Sequence, residues 1–177
     1  MKRAIVFVSD NFSRNILGWS VGERCCAENV KNALAMAIQS IKFHYSDFVC
    51  ATLVADGGSE NHAVTISQLL ETTPNPEITK VVALKDIAFS NSPVEAVNKV
   101  MKRYLRYYEP DSGERLYECL SLAVEDYCSV RPHVSLGGRT PLEAYTDVFP
   151  GLDFTEQARR AREVRVNFNK SNGCGRC

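Results

Sequence analysis

Net charge, long apolar runs and an export signal are all missing from this chain of 177 residues. Lysine plus arginine and aspartate plus glutamate number 21 each, so no overall basic field draws the molecule onto nucleic acid. Any such contact must rest on a local basic surface. The longest apolar stretches, such as Ala4 to Val8, are only about a quarter of the length a helix needs to cross a bilayer, which excludes a membrane partner. Met1-Lys2-Arg3 leads into that run with no small-residue cleavage site behind it, so no signal peptide is read. The seven cysteines are odd in number and scattered, the pattern of reduced thiols in a cytosolic compartment. Cys174 and Cys177 form a single C-x-x-C with no second pair beside it, half of a zinc site at most.

What is present alternates between strand and helix signals. Ala4 to Val8 is a continuous apolar run, as expected of a central strand covered on both faces. It ends on Ser9-Asp10, turns through Asn11-Phe12-Ser13 and returns antiparallel as Asn15 to Val21, with a short third strand expected around Cys25 and Cys26. Val30, Leu34, Ile38 and Ile41 share one face of a helix from Ala27 to about Phe43. Phe48 to Ala55 is a second apolar strand ending on an aspartate, Asp56, before a Gly57-Gly58-Ser59 turn. Asn61 to Glu71 suits a short helix, and Ile78 to Leu84 another strand. Ser92-Pro93-Val94-Glu95 then opens a long helix to Tyr108, with Ser at the N-cap and Pro at the first helical position. Its buried stripe is Val94, Val97, Met101, Tyr104, Leu105 and Tyr108; the opposite arc reads Glu95, Lys99, Lys102, Arg106. A further helix carries Leu116 to Tyr127, Arg131-Pro132-His133 ends it, and Thr140-Pro141-Leu142-Glu143 caps a last short one. Residues 1–150 form one domain, and 151–177 a polar, basic tail expected to fray.

Two strands ending in Asp10 and Asp56 would, as parallel neighbours, present both carboxylates at one sheet edge, and Glu95 on a first helical turn would close the triangle. Three hard carboxylates without histidine or cysteine suit Mg²⁺ or Mn²⁺ rather than zinc or copper. Two such ions can clamp the attacking and leaving oxygens of a phosphoryl displacement. Lys99, Lys102 and Arg106 would sit beside them, placed to hold a nucleic-acid backbone.

These residues carry a resemblance. Asp10-Asn11-Phe12-Ser13-Arg14 with Gly18-Trp19, Leu53-Val54-Ala55-Asp56-Gly57-Gly58-Ser59-Glu60, and Ser90-Asn91-Ser92-Pro93-Val94-Glu95 with Asn98 and Lys102 are similar to the three acid motifs of the integrase/transposase catalytic core. Tyr127, Arg131-Pro132-His133, Leu136 and Thr140-Pro141 resemble the closing motif of its bacterial insertion-sequence type. The resemblance implies an α/β, ribonuclease H-like fold, a five-stranded mixed sheet with an antiparallel hairpin start and then parallel strands, flanked by helices. It implies a transposase that cuts and joins DNA strands, with Asp10, Asp56 and Glu95 as catalytic acids and ligands of two Mg²⁺ or Mn²⁺ ions. Asn98, Lys99, Lys102, Arg103 and Arg106 would contact DNA, while Arg131, Pro132 and His133 would be structural. The implied partners are element ends, target DNA and further copies of the chain on that DNA. The helix-turn-helix part that normally precedes such a core would come from a separate protein or domain. The implied setting is the bacterial cytoplasm, on the nucleoid when acting. A nuclease on the same fold and a catalytically idle DNA-binding relic are the alternatives.

Overall fold

A computed structural model describes residues 3–82 and 92–147 of the chain. Strand β1 (Ala4–Ser9) pairs antiparallel with β2 (Ile16–Gly22), from Ala4 opposite Gly22 to Val8 opposite Gly18. The connection is locked by Asp10. Its carboxylate accepts from the backbone N–H of Ser13 at 2.7 Å and from the Ser13 hydroxyl at 2.6 Å. Arg14 takes the left-handed conformation (φ 64°) that lets the chain return.

Helix α1 (Ala27–His44) follows without the third strand expected around Cys25 and Cys26. Glu23 and Arg24 bend, and Cys26 already occupies the N-cap. The expected face of α1 is the one that packs, with Leu34, Ile38 and Ile41 buried. Strand β3 (Cys50–Ala55) pairs parallel with β4 (Glu77–Val82), through a 3₁₀ turn at Ser59–His62 and helix α2 (Val64–Glu71). Helix α3 (Ser92–Tyr108) includes Ser92 itself, the residue expected at the N-cap; the residues before it lie outside the described residues. Helix α4 (Gly113–Glu125) is capped by Ser112, whose side chain accepts from Arg115 N–H. A π turn (Asp126–Val130) and a 3₁₀ turn (Val134–Leu136) lead to α5 (Pro141–Thr146). There the expected cap is complete: Thr140 Oγ1 accepts from Glu143 N–H and the Glu143 carboxylate accepts from Thr140 N–H.

One face of the β1–β2 hairpin builds the main core, where Phe7 and Trp19 meet Val97 and Met101 of α3 and Leu120 and Ala123 of α4. On the other face, α1 lays Ala37 and Ile41 against Leu17, then reaches β3 and β4 through Leu34 and Ile38, which meet Leu53, Ile66 and Ile78. The expected five-stranded sheet is not seen among the described residues. Among the described residues there are four strands in two separate pairs, and β1 and β3 share no hydrogen bonds. Nor are they parallel. Val49, at the entry to β3, and Val8, near the exit of β1, rest on the same Leu17, Ala37 and Ile41 cluster toward the end of α1, while Asp56, just past β3, lies near Cys25 before α1 begins, so the two strands run in opposite directions over α1. The expectation failed because apolar strands ending in an acid look alike whichever way they are laid. Residues 83–91 and 148–177, with Ala83 and Leu84 of the strand expected to Leu84, the expected basic tail, Cys174 and Cys177, lie outside the described residues.

Gly18 is where helix and hairpin meet most closely: a Cβ there would stand 2.1 Å from the Ala33 carbonyl oxygen and 2.6 Å from the Ala37 nitrogen. Backbone cannot yield as a side-chain tip can. Gly18→Ala is expected to cost about 1–3 kcal/mol, read as a lower urea midpoint at unchanged slope, whereas alanine at exposed Gly57, where nothing lies within 4 Å, should be tolerated.

Candidate nucleic-acid interface and acidic cleft

Between β1 and β3 lies a cleft of about 490 Å³, floored by Leu34, Ala37 and Ile38 of α1 and flanked by Val94, Glu95 and Asn98 of α3. All three expected acids stand on its walls. They do not stand together.

Asp10 belongs to the end of the cleft where α1 finishes. It is committed to the Ser13 turn, and its charge reaches Tyr45 and Tyr145. Both phenols are raised above the ordinary tyrosine value, first by burial and then by neighbouring charges and hydroxyls that include Asp10. Tyr45 Oη donates to the Tyr145 carbonyl at 2.5 Å, tying the exit of α1 to α5.

Asp56 belongs to the opposite end, where α1 begins. Its Oδ1 accepts from Gly58 N–H at 3.1 Å and from Asn61 Nδ2 at 2.6 Å, a turn organised by an exposed aspartate. Glu60 beside it accepts from the Cys25 thiol at 3.4 Å, and that thiol is raised by partial burial and by the charges of Glu60 and Asp56. Cys25 lies two residues before α1, Tyr45 just past its end. The six residues of β3 between Val49 and Asp56 alone span on the order of 20 Å. Asp10 and Asp56 therefore lie toward opposite ends of the cleft.

Glu95 lies toward the start of β1. It shares a shallow hollow with Arg3, Ile5 and Phe7, the first half of β1. Farther along α3, the Tyr104 hydroxyl donates to Asp126 at the far end of α4, next to Tyr127, which senses Arg14. The C-terminal half of α3 thus lies toward the Asp10 turn and its first turn points away from it. Hard carboxylates at Asp56, Glu60 and Glu95 have the chemistry for Mg²⁺ or Mn²⁺. The geometry does not match: among the described residues no three of His, Cys, Asp and Glu stand close enough to share an ion.

The basic arc forms as expected. Glu95, Lys99, Lys102, Arg103 and Arg106 are exposed on α3, Asn98 is half-buried among them, and the opposite stripe is sealed by Val97 and Met101, each 1% exposed. Lys99, Lys102 and Asn98 border the same hollow as Glu95. Beside Glu60, quoted above only as the end of the second acid motif, the residues the sequence reading missed here are Asn61 and Lys80, which line the same cleft; Lys80 Nζ donates to the Asn61 carbonyl. Only the Asp-Gly-Gly turn signalled them, since an Asx turn draws in whatever follows it.

In the Arg131-Pro132-His133 stretch, His133 makes most of the contacts. His133 N–H donates to the Arg139 carbonyl at 2.9 Å, and the His133 carbonyl accepts from Leu136 and Gly138 at 3.1 and 2.9 Å. Its ring meets Tyr127 edge-on at 4.8 Å, and Nε2 is buried with no partner among the described residues. Pro132 and Arg131 are exposed. Burial, then the charges of Arg131 and Arg14, hold the imidazole below its ordinary value. The folded state therefore binds this proton less readily than the unfolded state. The stability tied to neutral His133 is fully present above the unfolded value near 6.5 and declines as pH falls through it. His133→Phe, which keeps the ring contact, should flatten the loss of thermal midpoint between about pH 7 and 5; an unchanged pH slope would remove His133 from this role.

No protein-family model matches the chain, and no curated protein matches it. Solved structures do. The catalytic core domain of BIV integrase is 24% identical with a TM-score of 0.60, over 82% of this chain and 87% of that one. The HTLV-2 integrase catalytic core domain, in complex with magnesium in a dimeric form, gives 12% and 0.55 over 81% and 92%. A chain of the simian T-cell lymphotropic virus intasome gives 15% and 0.62, with 84% of this chain spanning 49% of that one. The chain has an α/β fold resembling the catalytic core of retroviral integrases.

Proposed function

We propose that this chain is a DNA-binding core of the polynucleotidyl transferase type, laid on the phosphate backbone along α3. The observation that carries this reading is the exposed arc of Lys99, Lys102, Arg103 and Arg106 beside a cleft holding Asp56 and Glu95, on an integrase-core fold. Lysine and arginine along one helix face supply the sequence-independent affinity that neutral composition withholds from the rest of the surface. Asn98, half-buried between the arc and the cleft, is placed to orient a backbone or base edge.

The finer reading is a transposase of the bacterial insertion-sequence kind, cutting and joining DNA at the Asp56 end of the cleft and acting as an oligomer on DNA. Its support is the motif resemblance together with integrase neighbours in dimeric, trimeric and intasome forms. Asp56 and Glu95 are the acids this reading keeps. Asp10 is reassigned to the hairpin turn, because it lies near the other end of α1 and spends both its strong bonds on Ser13. Two acids do not make a two-ion site, and no metal-dependent step is assigned to this arrangement. That shortfall favours a second reading, a core that binds DNA without cutting it.

Fluorescence anisotropy with duplex DNA between 50 and 200 mM salt tests the binding. Lys99→Gln and Lys102→Gln should each weaken it and reduce the slope of log K against log salt by about 0.9, while Asp10→Asn should leave both unchanged. Equal slopes in all variants would sink the assignment of α3. A strand-transfer assay with pre-cut ends and Mn²⁺ separates the two readings. Product that disappears in Asp56→Asn and Glu95→Gln but survives Asp10→Asn supports the transferase; binding without product supports the idle core.

A further inference from the structure

Apart from the arc on α3, a second cationic group stands where the β1–β2 turn meets the π turn after α4. Tyr127 of the π turn packs in the same core cluster as Ile16 of β2, which brings Arg14, just before Ile16 in sequence, close to it. Arg131 closes the π turn, its N–H donating to the Asp126 carbonyl at 2.8 Å. The His133 ring meets Tyr127 edge-on at 4.8 Å. The charges of both guanidiniums act on Tyr127 and on His133, so the two arginines flank one pair of rings.

Two guanidiniums brought to one place repel unless an anion lies between them. Here no acid of the described chain supplies it. Neither Arg14 nor Arg131 forms an ion pair among the described residues. No carboxylate is among the charges acting on either ring. The acids nearest in sequence are engaged elsewhere: Asp10 accepts twice from Ser13, and Asp126 accepts from the Tyr104 hydroxyl. Arg131 is exposed and reaches that same hydroxyl, which cannot occupy all of its donors. Arg14 is half-buried, and the turn fixes its root: the backbone is left-handed (φ 64°) and its N–H donates to the Asp10 carbonyl at 3.0 Å. His133 adds Nε2, buried with no hydrogen-bond partner among the described residues.

We propose that Arg14 and Arg131 form a binding site for a phosphate group, with the Tyr127–His133 ring pair as its wall. Each guanidinium is a planar fork, and two forks from different segments need more acceptor atoms than one carboxylate carries. The oxygens of a tetrahedral phosphate, spread over several directions, serve both. A phosphate seated there also cancels the charge that opposes protonation of His133. Two sources share this chemistry, inorganic phosphate and the backbone of DNA. The site rests on the two arginines and the ring pair and not on the DNA-binding reading of α3.

NMR of the histidine rings in the full 177-residue chain tests this without DNA. Inorganic phosphate, added at constant ionic strength, should move the His133 signal saturably and raise the pH at which it titrates, with His44 unchanged. Arg131→Gln, at an exposed position, and Arg14→Asn, which tolerates a left-handed backbone, should each weaken that response about tenfold or more. Lys99→Gln should leave it intact, so equal salt slopes in the α3 variants would end the α3 assignment and not this one. A phosphate response that survives in folded Arg131→Gln and Arg14→Asn overturns the site. So does the absence of a saturable shift, a shift shared equally by His44, or acetate that binds as tightly as phosphate. Duplex DNA then tells the sources apart. Movement of the same His133 signal, lost in Arg131→Gln together with about 0.9 of the salt slope, assigns the site to the DNA backbone. Phosphate binding with no response to duplex assigns it to free phosphate.

Discussion

Helix α1 is the one body on which both strand pairs rest, and the contact at Gly18 is what seats it. Ala33 and Ala37 bring the helix backbone down onto that glycine, and no side chain intervenes. With α1 fixed against β2 there, its next turns present Leu34 and Ile38 to the second pair of strands. The eighteen residues of α1 then set the scale of the molecule, about 27 Å from end to end. Everything that lines the cleft is placed relative to one of those two ends.

That placement decides the chemistry. Asp10 sits where α1 finishes, with Tyr45 and Tyr145, while Asp56 sits where it starts, with Glu60 and Cys25. Like charges held toward opposite ends of a helix neither repel nor cooperate appreciably at physiological salt, where screening acts within roughly 8 Å. Asp10 stabilises a turn, Asp56 another, and Glu95 borders the hollow lined by Lys99 and Lys102 of α3. On the proposed reading, the cationic face of α3 beside Glu95 is the surface that would meet a phosphodiester backbone.

Much of the local structure was legible in the residues. The burial of Val97 and Met101 opposite Lys99, Lys102 and Arg106 follows from spacing alone, because helical periodicity is a property of neighbours. The capping box at Thr140 and Glu143 followed from four consecutive residues, and the Asp10-to-Ser13 turn from the tendency of aspartate to bond two or three residues ahead. Fold class was readable too, from the order of strands and helices and from motif resemblance, and it agrees with the integrase-core neighbours.

The amino-acid order by itself determined where the chain turns, which faces of its helices are apolar, and that α3 carries a cationic stripe, since each has its cause within a few residues. Only the tertiary structure decided which strand edges meet, which way β3 runs against β1, and toward which end of the cleft Asp10 and Asp56 lie. Pairing is a long-range choice. An apolar strand that ends in aspartate reads the same whether its neighbour is parallel, opposed or absent, and the direction is settled only when Val49 and Val8 rest on one cluster toward the end of α1 while Asp56 lies near its start.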